Sequence, residues 1–133
     1  MENIIGTWAL LKTESVDANG KPTSVAPFGS TNFIGRVVFT KEGRMSAAIT
    51  DARDQIPEGE MREYSCYAGA YTFKKETLIT TVDACSDPAR MGTRQIRKVS
   101  FEKDLMVLRP PLRSYGNKPA ELRTRWWKKI SDI

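Results

Sequence analysis

The chain has 133 residues, and its 21 lysines and arginines against 16 aspartates and glutamates give a net charge of +5. It contains no histidine, which excludes catalytic triads and metal sites that depend on imidazole. The length suits one domain, spanning residues 1–133, that is large enough to bury a core.

The start of the chain and its two cysteines bear on its compartment. Met1-Glu2-Asn3 leads directly into a strand-like segment without the pattern of a signal peptide, and no run of about 18 apolar residues follows. We therefore expect a cytoplasmic protein with no membrane partner. In that reducing setting Cys66 and Cys85 are expected to be free thiols, although our register places them opposite each other, where a disulfide is geometrically allowed.

Alternating and β-branched segments between turn signals predict about eight strands and no amphipathic helix longer than a turn or two. Because closure removes the exposed edges of a sheet, we predict an all-β, up-and-down antiparallel barrel. A barrel of about eight strands is just wide enough to hold one small ligand. The predicted strands are residues 2–13, 33–40, 44–50, 64–73, 77–85, 93–101, 105–109 and 121–130.

The first strand and the loops that follow it define the two ends of the predicted barrel. Trp8, near the start of the first strand, is expected to plug one end, with Arg97 or Arg125 packed over its ring. The polar loop 14–32 and the connection 51–63 both lack strand alternation and carry proline and glycine. We expect these two segments to line the open end.

A hairpin is predicted around Lys41-Glu42-Gly43, where glycine suits a positive φ. If Thr40 lies opposite Arg44, one face of the hairpin is apolar and must point inward. This wall of the cavity is therefore expected to be apolar, with Phe39 and Met45 in contact with the ligand. Its apolar face comprises Phe33, Val37, Phe39, Met45, Ala47 and Ile49.

Three consecutive strands within residues 64–101 are predicted to form a polar wall. Arg94 and Lys98 belong in water, so the alternate residues Gln95 and Arg97 are expected to face inward. Small alanines beside polar side chains indicate space for a ligand rather than a packed core. The expected inward face is Ala68, Ala70, Thr81, Asp83, Gln95 and Arg97.

The register behind that face comes from the lengths of the turns. Tyr67 and Tyr71 fall on the other face in this register, and a slip of one residue would turn them inward. The expected pairs are Phe73 with Leu78, Tyr71 with Thr80, Ala68 with Asp83, Cys66 with Cys85, Cys85 with Thr93, Asp83 with Gln95, and Thr81 with Arg97.

The closing strand, residues 121–130, contains Trp126 and Trp127, which must point to opposite faces. We expect Trp126 to face the ligand. The same strand carries the one concentration of positive charge in the sequence, which we interpret as a solvated outer face, with a nucleic-acid or acidic-protein surface as the alternative. These cations are Arg123, Arg125, Lys128 and Lys129.

Several short strings, in the right order along nearly the whole chain, resemble the lipocalin-like domain family of bacteria and fungi. They are Gly6-Thr7-Trp8, Gly35-Arg36-Val37-Val38-Phe39-Thr40, Gly43-Arg44-Met45-Ser46-Ala47, Ala68-Gly69-Ala70-Tyr71, Met91-Gly92-Thr93-Arg94-Gln95-Ile96-Arg97 and Trp127-Lys128-Lys129. The resemblance implies a calycin-type barrel with a central pocket, and relatives of this barrel type include small cyclases and isomerases of specialised metabolism. Many members carry histidine where this chain has Thr80-Thr81, so a mechanism that rests on that histidine is not expected here.

The polar wall supplies the candidate chemistry. Asp83 and Arg97 are the candidate catalytic pair, because a carboxylate in a partly apolar cavity can transfer a proton and a guanidinium can hold an oxyanion. A buried structural ion pair is the alternative for these two residues. The candidate ligand contacts are Gln95, Thr81, Tyr64, Tyr67, Tyr71, Phe39, Met45 and Trp126.

No phosphate-binding glycine loop, metal-ligand spacing or nucleophile elbow is present in the sequence, so we expect neither a metal nor a cofactor. We expect a barrel that binds a partly apolar metabolite bearing a carbonyl, phenol or carboxylate, and that acts as a cofactor-free isomerase, cyclase or hydratase in specialised metabolism. The alternatives are a non-catalytic carrier and a basic barrel that binds RNA or an acidic protein. A homodimer is left open.

Overall fold

The computed structural model describes residues 3–23, 32–62, 64–112 and 119–133. Its strands close into one antiparallel barrel in sequence order, with the last strand paired to the first, which confirms the predicted fold. A short 3-10 turn, Pro88–Arg90, was not predicted. The strands are β1 (Gly6–Asp17), β2 (Phe33–Phe39), β3 (Arg44–Asp51), β4 (Tyr64–Lys74), β5 (Thr77–Cys85), β6 (Arg94–Glu102), β7 (Leu105–Arg109) and β8 (Glu121–Ser131).

The connections sort into two kinds, one at each end of the barrel. At the turn end, β2–β3, β4–β5 and β6–β7 are joined by tight hairpins in which Gly43, Lys75 and Lys103 have positive φ. At the opposite end, which we call the loop end, the connections 18–32, 52–63, 86–93 and 110–120 are much longer. The predicted loops 14–32 and 51–63 begin later than expected, because β1 continues to Asp17 and β3 to Asp51. The rest of both segments belongs to the loop end, although residues 24–31 and 63 lie outside the described part of the chain.

Trp8 closes the turn end, as predicted. Its side chain is buried, and its indole nitrogen donates a 2.9 Å hydrogen bond to the carbonyl of Ile4. The cation over its ring is Lys129, with Nζ 5.3 Å from the ring centre. The expectation that Arg97 or Arg125 would supply this cation is wrong, because Lys129 lies directly opposite Trp8 in the β1–β8 ladder.

The β2–β3 hairpin has the predicted register. The Thr40 amide donates to the Arg44 carbonyl at 2.8 Å, and Phe39 lies opposite Met45. The alternation therefore buries one face and exposes Arg36, Arg44 and Ser46 on the other. Val37, Phe39, Met45, Ala47 and Ile49 are buried, and Phe33 is half-buried.

The β4–β5 register is correct at the turn and wrong beyond it. Phe73 lies opposite Leu78 and Tyr71 opposite Thr80, but a β-bulge between Ala68 and Gly69 leaves Ala68 opposite Ala84. Cys85 consequently lies opposite Tyr67 rather than Cys66. Both cysteines are free.

The β5–β6 register differs from the prediction by three residues. Gln95 lies opposite Thr80 rather than Asp83, and Arg97 lies opposite Leu78 rather than Thr81. The reason is that the end of the connection 86–93 pairs with Val82, well before the end of β5. The Gly92 amide donates to the Val82 carbonyl at 2.8 Å, and the Val82 amide donates to the Thr93 carbonyl at 2.9 Å. An odd shift moves every β5 side chain to the other face of the sheet.

Candidate ligand cavity

A cavity of about 270 Å³ lies inside the barrel. Its lining includes Tyr64 and Ser65 at the loop end of β4, Leu108 near the loop end of β7, and residues of the connections 86–93 and 110–120, so it extends toward that end. Two walls of different chemistry line it, an apolar wall from β2 and β3 and a cationic wall from β6 and β8. In a closed ring of eight strands β6 lies opposite β2, whereas β8 lies opposite β4.

The first wall is apolar and comes from the β2–β3 hairpin. Phe39 and Met45 line the cavity, as predicted. They do so because strict alternation on both strands turns every second, apolar residue inward. The other members of this wall are Val37, Ala47 and Ile49.

The second wall is cationic and comes from β6 and β8. Arg97, Arg123 and Arg125 all line the cavity. Arg123 is 2% exposed, and its Nε donates a 2.6 Å hydrogen bond to Oε1 of the buried Glu121. Nη2 of Arg97 donates a 2.9 Å hydrogen bond to Oε1 of Gln95. Gln95 is buried on the inward face as predicted, but it is not part of the cavity lining, so its predicted ligand contact is not supported.

The outward placement predicted for the cations of β8 is therefore wrong for two of them. Arg123 and Arg125 share the inward face with Trp127, which lines the cavity, and Lys128 is exposed. Trp126 points outward, where Nζ of Lys12 lies 4.4 Å from its ring centre, so its predicted ligand contact is not supported. Choosing Trp127 as the inward tryptophan would have placed both arginines correctly, because residues 123, 125 and 127 share one face of a strand.

Near the loop end, the connection between β5 and β6 adds Ser86, Asp87 and Arg90 to the lining. Arg90 Nη1 donates to Ser65 Oγ at 3.1 Å, and its guanidinium lies 4.8 Å from the Tyr67 ring centre. Sequence reasoning assigned no role to this connection.

The three tyrosines predicted as ligand contacts differ in placement. Tyr67 lines the cavity, and Tyr64 lines its outer part while remaining 63% exposed. Tyr71 is not part of the lining, and its hydroxyl donates a 2.7 Å hydrogen bond to the Thr40 carbonyl. Burial raises the pKa of Tyr71, with a further contribution from the charge of Glu42.

Asp83 lies on the outer surface, so the prediction that it faces the cavity is wrong. Its carboxylate accepts two hydrogen bonds from Arg44, at 2.6 and 2.9 Å, and both side chains are about half exposed. These hydrogen bonds, with the charge of Arg44, hold the pKa of Asp83 below its usual range. Thr81 is exposed as well, as the corrected β5 register requires.

The described residues that line the cavity thus include four arginines and one carboxylate, Asp87. Oδ1 of Asp87 accepts a 3.0 Å hydrogen bond from the Ala89 amide, which caps the 3-10 turn.

In the parts of the chain that the structure covers, no three carboxylates or cysteines cluster in a way that would hold a metal ion. Nor does any described helix reach the length and apolar character of a membrane span.

Comparison with known proteins gives one similar solved structure and one matching family. A crystal structure of an uncharacterized protein from Bacteroides eggerthii DSM 20697 is similar at 16% identity and a TM-score of 0.46, over 96% of this chain and 100% of that one. No curated protein matches the chain. The family model for the lipocalin-like domain matches residues 5–130, and the chain therefore belongs to that family.

Proposed function

We propose that the barrel binds a small organic anion. Its apolar body would lie against the β2–β3 wall, and its anionic group would lie among Arg97, Arg123 and Arg125. One observation carries the proposal: three guanidinium groups line the same barrel cavity as the apolar β2–β3 wall.

The physical reason is the behaviour of charge in a low-dielectric space. A guanidinium presents planar, paired N–H donors that match a carboxylate, and such charge-assisted hydrogen bonds are about twice as strong as neutral ones. Water is largely excluded from a barrel interior, so the positive potential of the arginines is screened less than at the surface. An anion therefore gains more in this cavity than a neutral ligand of the same shape.

The size of the cavity limits the ligand. An engineered apolar cavity of about 150 Å³ binds benzene, and this cavity is about 270 Å³. A compound of about two fused rings with one or two substituents therefore suits the space.

The test compares 2-naphthoate with 2-naphthamide, which has nearly the same shape and no charge. We expect calorimetry to show that the naphthoate binds at least about tenfold more tightly, as a charged hydrogen bond would give. Arg125→Met should remove that preference, whereas Lys128→Met, on the outer face of the same strand, should retain it. Equal affinity of wild-type protein for the two compounds would contradict the proposal.

Arg125 is the residue to change, because Arg123 forms a buried ion pair with Glu121. Removing Arg123 would leave that carboxylate buried without its counter-charge and would destabilise the barrel. The melting temperature of Arg125→Met should be measured beside its affinity, so that a folding defect is not taken for lost binding.

Binding is proposed ahead of the expected isomerase, cyclase or hydratase activity. The proton-transfer role expected for Asp83 required that residue inside the barrel, and it lies outside. The RNA alternative required four cations on one outer face of β8, and Arg123 and Arg125 are part of the cavity lining instead.

A further inference from the structure

Arg90 lies across the cavity from the arginines of β8. The connection that carries it is fixed to β4, because Ser86 and Cys66 exchange two hydrogen bonds at 2.8 and 3.1 Å. In a closed ring of eight strands, β4 and β8 are on opposite sides. The cavity is therefore bordered by guanidinium groups on two opposite sides.

The contacts of Arg90 hold its guanidinium in place without compensating its charge. Its two side-chain contacts, the Ser65 hydroxyl and the Tyr67 ring, are uncharged. Its Nε is buried and has no hydrogen-bond partner. None of the ion pairs among the described residues includes Arg90, although Asp87 lines the same cavity. A stacked, hydrogen-bonded guanidinium of this kind is oriented in advance for an anion.

We propose that the natural ligand is an organic dianion, with an apolar body between two anionic groups at opposite ends. This inference rests on the proposed function, in which one anionic group lies against the β6 and β8 arginines. The second anionic group binds Arg90 toward the loop end. The apolar wall between the two sides contacts the body of the ligand, so charge at both ends and none in the middle matches the lining.

The experiment compares 2-naphthoate with 2,6-naphthalenedicarboxylate, which carries its carboxylates at opposite ends. The measured quantity is the ratio of the two dissociation constants. We expect the dianion to bind wild-type protein about tenfold more tightly or better, the gain from one further charge-assisted contact. Arg90→Gln should bring the ratio close to one, and Arg90→Lys, which keeps the charge but not the planar fork, should restore part of it.

Two controls separate a specific contact from the general positive potential. Arg94→Gln removes the same charge from the exposed face of β6 and should leave the ratio unchanged. The isomer 2,3-naphthalenedicarboxylate has the same charge on adjacent carbons and cannot span the cavity, so Arg90→Gln should weaken it much less than the 2,6 isomer. Equal weakening of both isomers, or a wild-type ratio near one, would overturn the dianion inference.

The two proposals fail in different ways. If 2-naphthoate does not exceed 2-naphthamide in affinity, the proposed anion site is wrong. If it does so in an Arg125-dependent manner while the dianion gains nothing, the anion site stands and only the role of Arg90 is refuted.

Discussion

Two aspartate–arginine pairs show at the residue scale how position decides what a carboxylate does. In the Asp83–Arg44 pair both side chains are about half exposed, and such surface pairs contribute little to stability. The Asp51 side chain is completely buried, and its carboxylate accepts hydrogen bonds from Nε of Arg53 at 2.8 and 3.0 Å. Asp51 also accepts a hydrogen bond from the Arg53 amide, so it fixes the start of the β3–β4 connection.

We predict that Asp51→Asn lowers the free energy of unfolding at pH 7 by about 2 kcal/mol, because it weakens buried, charge-assisted hydrogen bonds. Asp83→Asn is the matched control and should have a much smaller effect, with no loss of 2-naphthoate affinity. Urea denaturation of both variants gives the comparison. If Asp83→Asn were the more damaging substitution, the burial argument would be wrong.

The Asp51–Arg53 pair also leads to a prediction about the pH dependence of stability. Hydrogen bonds from Arg53 hold the pKa of Asp51 below its usual range, against the opposing effect of burial. A group with a depressed folded-state pKa stabilises above its unfolded pKa, about 3.9 for aspartate, and loses that contribution as the pH falls toward the folded value. The stability advantage of wild-type protein over Asp51→Asn should therefore shrink between about pH 5 and pH 3, and an advantage that stays constant over that range would contradict this.

At the scale of the elements, a bulge interrupts the pairing of β4 with β5. Gly69 lies opposite Val82, and Asp83 is the extra residue before Ala84 pairs with Ala68. The backbone of β5 approaches so closely here that a Cβ on Gly69 would lie 1.9 Å from the Thr81 carbonyl oxygen. No side chain fits that space, so the glycine fixes the local geometry.

Gly69→Ala should therefore be severely destabilising and should lower the yield of folded protein. Gly35→Ala is a suitable control, since it adds the same methyl group to a buried strand glycine whose nearest neighbours would be 3.1 to 3.3 Å away. We expect a modest decrease in melting temperature for Gly35→Ala and a large one for Gly69→Ala, measured by circular dichroism. Similar decreases for both would show that the approach of β5 relaxes easily.

The strands could be predicted from sequence because turn signals and alternation act over a few residues. The three-residue turn at Gly43 and the alternation from Phe33 to Ile49 fixed both the hairpin register and its apolar face. The register between β5 and β6 could not be predicted, because the connection 86–93 contains a 3-10 turn and closes at Val82. That connection also brings Arg90 to the cavity, which no local pattern indicates.

The prediction of which β8 side chains point inward failed for a different reason. Alternation required Trp126 and Trp127 to differ, but it did not say which tryptophan points inward. We predicted that Arg123 and Arg125 face solvent, because charged side chains on a strand are usually exposed. The burial of Arg123 with Glu121 is a tertiary feature that a single strand's pattern does not contain.

On the scale of the whole molecule, the net charge of +5 is divided between the interior and the surface. Part of the positive charge that the sequence suggests for an outer face lines a cavity instead, through Arg123 and Arg125, beside Arg97, which was expected to face inward. Buried charges are screened by salt much less than exposed ones. Ionic strength therefore separates a cavity ligand from a polyanion that binds the surface.

We predict that the affinity for 2-naphthoate changes less than about threefold between 50 and 300 mM NaCl, because one enclosed anion replaces few counterions. Binding to single-stranded RNA through several phosphate contacts would instead weaken by about a thousandfold over a comparable range, since each contact releases counterions from the backbone. Titrations of wild-type protein with 2-naphthoate and with a poly(U) oligonucleotide at several salt concentrations give both slopes. Lys128→Met should not alter the naphthoate slope, because that lysine lies on the outer face of β8. A naphthoate affinity that falls more than about tenfold would place the anion on the exposed surface and would refute the cavity as its site.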